Sequence, residues 1–147
     1  MKRLRLIMLM SWLCVAVPLC AQRGLQIAQL FDGRFKHDKQ CVELLVKGRS
    51  LKPYDLTLFR SLTFDKHAKV LPQVEALVNQ DAHKSVDKEV GLVDGRLSYG
   101  FYRFPPEKGA KGPHRYIVYR RTEKQTMLIY MEGYTDIDKL KKMLVKQ

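Results

Sequence analysis

At 147 residues the chain is long enough for one independent core, and it carries no repeat, low-complexity tract or linker that would divide it into several domains. Its 27 Lys and Arg against 15 Asp and Glu give a formal net charge of +12, which directs attention to anionic contacts. Its three cysteines are too few, and too clustered at one end, to provide a disulfide framework.

The first 21 residues read as a secretory leader. Lys2, Arg3 and Arg5 form a positive start, and residues 6–19 form an uncharged apolar stretch too short to span a bilayer comfortably. Cleavage is expected near Ala21, although Leu19 stands where a small residue is preferred. Lipidation at Cys20 is the minor alternative and a retained membrane anchor another; Leu19 before Cys20 argues against the first. Removing residues 1–21 takes three basic residues and no acid, leaving 24 against 15 and a net charge of +9. Of the cysteines only Cys41 remains, which reads as a partly buried, inert thiol.

Residues 22–147 then read as a single basic domain. Residues 24–32 fit a short helix with Leu25, Ala28 and Leu30 or Phe31 on one stripe and Gly33 just past its end. Residues 41–47 fit a strand, broken by Gly48, Ser50 and Pro53. Asp55 can cap a helix whose apolar face is Leu58, Phe59 and Leu62. A longer helix is expected over residues 68–83, with Pro72 in its first turn.

The second half reads mostly as strand. Residues 86–93 and 96–104 flank Asp94-Gly95, a strong hairpin signal. That turn predicts Leu92 opposite Leu97, Val90 opposite Tyr99 and Lys88 opposite Phe101, with the apolar residues on one face. Residues 116–121 and 127–132 form a second hairpin, apolar on both faces, as in central strands or strands covered on both sides. Thr135 and Asp138 have capping-box spacing before a helix with Ile137, Leu140 and Leu144 on its buried stripe. The expected fold is α+β: an antiparallel meander sheet of four or five strands with helices packed on one face.

Three segments carry a resemblance: LKPYDLTLFRSLTF (residues 51–64), YIVYRR (116–121) and LIYMEGYTDIDKLKKML (128–144), together with the LCAQ end of the leader. With these the chain resembles a family of small exported proteins of unknown function from Bacteroidetes-type Gram-negative bacteria. The resemblance covers most of residues 22–147. It implies an envelope or secreted location, assigns no activity and lends no catalytic residue.

The residues themselves offer little chemistry. His37, His67, His83 and His114 are not paired with one another or with Cys at ligand spacing, so no metal is expected. G-x-S-x-G does not occur, and the glycine-rich run at 108–113 lacks the ending of a phosphate loop, so no catalytic residue or cofactor is assigned. Glu43, Asp87, Glu89 and Glu132 could furnish a carboxylate pair, but read equally as charges that protect sheet edges.

Charge does rise above background between residues 103 and 124, where seven basic residues face only Glu107 and Glu123. Arg103, Lys108, Lys111 and Arg115 precede Arg120 and Arg121, with Tyr102, His114 and Tyr119 interleaved. Arginine beside tyrosine suits phosphate, sulfate, carboxylate or aromatic groups. The plainer reading is a solvated basic surface. Nucleic acid is not expected, because of the leader and because the glycine–aromatic signature of RNA-binding sheets is missing.

The expectation is therefore an exported, non-enzymatic binding or interaction module of the periplasm or outer envelope, contacting a protein partner or an anionic envelope component. A homodimer closing over the doubly apolar strands is a further option. A small envelope hydrolase with a site assembled from scattered residues, and a structural or assembly factor, are the alternatives.

Overall fold

The computed structural model describes residues 24–107 and 111–145. The expected leader, with Cys14, Cys20 and Ala21, lies outside the described residues, as does Lys108. No helix among the described residues is long and apolar enough to cross a membrane.

The chain runs through a 3-10 helix η1 (Gln26–Phe31), strand β1 (Cys41–Lys47), a 3-10 helix η2 (Arg49–Tyr54) and strand β2 (Leu56–Asp65). Helix α1 (Leu71–Ala82) follows, then strands β3 (Asp87–Val93), β4 (Arg96–Phe104), β5 (His114–Arg121) and β6 (Gln125–Gly133), and helix α2 (Ile137–Val145). All pairings are antiparallel, and the sheet order is β1-β2-β6-β5-β4-β3. Strands β3 to β6 form a meander; β2 adds beside β6, which leaves β1 and β3 as the edges.

The α+β class stands, but the sheet has six strands rather than four or five. The additional strand is β2, where a helix capped by Asp55 was expected. Leu58, Phe59 and Leu62 do fall at helical spacing. The segment is also rich in threonine and aromatic residues, and pairing along both its edges overrides the weak local preference. Asp55 takes a left-handed conformation instead, with φ of 55°, and turns the chain from η2 into β2.

Helices also pack on both faces of the sheet, not one. Side chains alternate along each strand, so Ile117, Tyr119, Leu128 and Tyr130 face η1 and α1, whereas Tyr116, Val118, Ile129 and Met131 face η2 and α2. These are the doubly apolar strands of the sequence, and β5 and β6 lie at the centre. Both faces are covered by the chain's own elements, and each fully buried apolar side chain there contributes about 2 kcal/mol.

The hairpin β3–β4 turns at Asp94 and Gly95, both with positive φ (53° and 75°), as a type I′ turn requires. Leu92 faces Leu97 as expected, but the register then slips. Ser98 is the extra residue of a bulge, so Gly91 faces Tyr99 and Val90 faces Gly100. Val90 and Leu92 therefore stay on the α1 face with Leu97, whereas Tyr99 and Phe101 of β4 turn to the α2 face.

Pro72 lies in the first turn of α1, where its missing N–H costs nothing. At α2 the cap is Asp136 rather than Thr135: its carbonyl accepts the Leu140 N–H at 3.0 Å and its Oδ1 accepts the Asp138 N–H at 3.3 Å. Thr135 is buried, and its carbonyl accepts the Tyr116 hydroxyl at 3.1 Å.

Candidate functional site

Consecutive strand residues point to opposite faces, and this separates the basic–aromatic cluster. Tyr102, Arg115, Tyr119 and Arg121 belong to the α1 face; Arg103, His114 and Arg120 belong to the α2 face. Tyr102 and Tyr119 are each only 1% exposed and form part of the core, so they present no aromatic surface to a ligand. Burial raises the pKa of both hydroxyls.

Two of the arginines serve the fold. Arg115 Nε donates to the Pro105 carbonyl at 3.1 Å, and Arg121 Nε donates to the Leu97 carbonyl at 2.9 Å. Arg115 faces Glu132 across the β5–β6 ladder, and Glu132 accepts the buried Tyr130 hydroxyl at 2.6 Å. Burial, reinforced by that bond, drives the Tyr130 pKa strongly upward. Lys111 and Arg120 are exposed.

Arg103 and His114 are of another kind. Both are half-buried, and Arg103 Nε and His114 Nδ1 are buried atoms without a hydrogen-bond partner. Arg103 faces Tyr116 across the β4–β5 ladder, and His114 lies two residues back along β5 on the same face. The His114 ring is 6.5 Å from that of Tyr116. Among the described residues, no group of three or more His, Cys, Asp or Glu could hold a metal ion.

The surface that the sequence did not single out is the β1 edge. Five of its seven residues are apolar, and Val42, Leu44 and Leu45 are 69%, 50% and 51% exposed. Its register with β2 is unbroken from Cys41 opposite Phe64 to Lys47 opposite Leu58. Cys41, Glu43, Leu45 and Lys47 lie on the α1 face; Val42, Leu44 and Val46 lie on the α2 face. Leu45 among the polar positions was the available signal, because an apolar residue on both faces marks a strand that expects cover on both.

The other edge is protected. Strand β3 also exposes Val90, Leu92 and Val93, but it begins Asp87-Lys88-Glu89, contains Gly91 and pairs with β4 across a bulge at Ser98 of β4. Glu89 forms an ion pair with Lys141 of α2. Charges and a bulge are the usual means of blocking strand addition; β1 pairs without a bulge, and its charges are Glu43 and Lys47 alone.

Cys41 opens β1 and is buried. Desolvation, helped by Asp38 and Glu43, pushes its thiol up to about 11, so it stays protonated and unreactive at neutral pH.

No curated protein and no solved structure matches the chain. A family model described as a family of unknown function, DUF6108, matches residues 14–144, and the chain belongs to that family.

Proposed function

We propose that this protein is an exported, non-enzymatic interaction module of the periplasm or outer envelope that engages a protein partner through the β1 edge. The observation that carries the reading is an edge strand with three exposed apolar residues, an unbroken register and only two charges, Glu43 and Lys47. An extended segment added there would satisfy the outward backbone groups and cover Val42, Leu44 and Leu45. The export half rests on the positive start and the apolar stretch of residues 1–21.

Two measurements test the two halves. Expression in a Gram-negative host should yield a periplasmic chain beginning at Gln22; intact chain in the cytosol overturns the location. The immobilised protein should retain a polypeptide from envelope extract that Leu44→Lys with Leu45→Lys releases and Arg120→Ala does not. Retention indifferent to the edge variant overturns the edge reading.

A second reading, a small anionic group bound on the α2 face, is favoured by the unpartnered Arg103 Nε and His114 Nδ1. Titration with inorganic phosphate should move the His114 ring resonances in the native protein and leave them unmoved in Arg103→Gln. Absence of any movement in the native protein removes this reading.

A further inference from the structure

We infer that β1 pairs with β1 of a second copy of this chain, antiparallel and centred on Leu45. This rests on the edge reading above and narrows it to one occupant. Two copies joined at an edge by a two-fold axis normal to the sheet keep the same face upward. Each residue must then stand opposite a residue of its own face, which leaves only registers centred on a residue of β1.

The charges select among these. Centred on Leu44, the pairing sets Glu43 against Leu45 and Lys47 against Cys41. Centred on Leu45, it sets Glu43 of each copy against Lys47 of the other and Leu45 against Leu45, all on the α1 face. On the α2 face, Leu44 meets Val46 twice, and Val42 meets Gly48, where a φ of 88° ends the strand. Both charges of β1 are then paired across the junction, and opposite charges directly across a ladder are favourable where like charges are not. Glu43 retains room for this partner, since its contact within the chain, Arg60 Nη2, is 3.7 Å away.

Strand β3 is the poorer candidate, because its run Asp87-Lys88-Glu89 and its Gly91 interrupt such a ribbon and the bulge at Ser98 of its neighbour β4 breaks its ladder. The β1 junction joins two six-stranded sheets into one continuous sheet. A ribbon of five strand residues from each copy, Glu43 to Lys47, is smaller than a standard interface of roughly 1,600 Å², so association depends on concentration.

The test is a cross-strand disulfide in the protein as isolated, with Cys41→Ala as background. Residues directly opposite in an antiparallel pair have Cα atoms roughly 4.5–5.5 Å apart, within reach of a disulfide. Leu45→Cys should oxidise to a covalent dimer, whereas Val42→Cys, opposite a glycine, should not. Sedimentation of the native protein should show a monomer–dimer equilibrium, weakened about tenfold by Lys47→Glu, which sets like charges opposite each other twice. Lys47 is exposed, so that variant leaves the fold intact.

Cross-linking of both cysteine variants alike overturns the register. A native protein that stays monomeric at high concentration, with Leu45→Cys unlinked, overturns self-pairing. If the edge variant still releases a different polypeptide from the immobilised protein, the edge reading survives that failure; if it releases nothing, both fall.

Discussion

The Asp81 carboxylate, near the end of α1, accepts the backbone N–H of Ile27 at 2.9 Å across 54 residues of sequence, and that of Gln26 at 2.6 Å. Asp81 is fully buried, and it supplies to the start of η1 the acceptors that η1 lacks within its own segment. Ile27, Leu30 and Phe31 are thereby held against Val74, Leu77 and Val78. Asp81→Ala leaves buried N–H groups without an acceptor, a cost of about 2–3 kcal/mol. Urea unfolding should show that loss, and hydrogen exchange should show residues 26–31 losing protection before the sheet does. Equal protection in both proteins would mean that apolar packing alone docks η1.

Gly100 and Tyr102 lie two apart on β4, on the same face. A Cβ at Gly100 would sit 2.5 Å from the Tyr102 hydroxyl oxygen and 2.6 Å from a ring carbon. Tyr102 is itself buried and has nowhere to move. Gly100→Ala should cost about 1–3 kcal/mol through overpacking. Shortening the ring with Tyr102→Leu in the same chain should recover part of it. A double-mutant cycle with no coupling would show that the strand yields rather than the ring.

Much of the architecture was legible in the sequence, and the misses have physical causes. Strand β1, helix α1, the Asp94-Gly95 turn and the central position of β5 and β6 follow from local periodicity and turn chemistry. Strand β2 did not, because Leu58, Phe59 and Leu62 satisfy a helical spacing and only pairing with β1 and β6 decides against it. The slip at Ser98 lies in one residue that no alternation pattern announces. The candidate surface fared worse for a related reason. Whether Tyr102 and Tyr119 are exposed depends on what covers each face, and whether Val42 and Leu44 are exposed depends on which strand is outermost. Both are long-range facts.

Cys41 should give the folded protein a distinctive alkaline behaviour. The thiol titrates near 9.0 when unperturbed and at about 11 in the fold, mainly because burial penalises the thiolate. Below pH 9 the folded and unfolded chains both carry the neutral thiol, and Cys41 adds no pH dependence. Between about 9 and 11 the unfolded chain releases a proton that the folded chain keeps, so stability falls as pH rises. The loss reaches about 2 kcal/mol by pH 11. Urea midpoints measured from pH 8 to 11 should therefore fall more steeply for the native protein than for Cys41→Ala. Parallel curves would contradict the burial of the thiol.

Arg120 and Arg121 are neighbours in sequence and opposites in role. Arg120 is exposed on the α2 face, beside the groove between Met127 and Leu144, and its head group reaches solvent. Arg121 is half-buried on the α1 face and ties β5 to the start of β4 through the Leu97 carbonyl, a neighbour it cannot reach by ladder bonding. Removing a charged donor from a partly buried carbonyl costs about 1.5–3 kcal/mol, whereas an exposed substitution away from contacts stays within about 0.5 kcal/mol. Arg121→Ala should therefore lower the urea midpoint clearly, and Arg120→Ala should leave it in place. The same contrast separates stability from binding. If the basic residues hold an anionic ligand, retention on anionic beads at low salt should drop with Arg120→Ala at unchanged stability, while any drop with Arg121→Ala should track its unfolding. Equal stability losses in the two variants would undo the division of the cluster between the faces of the sheet.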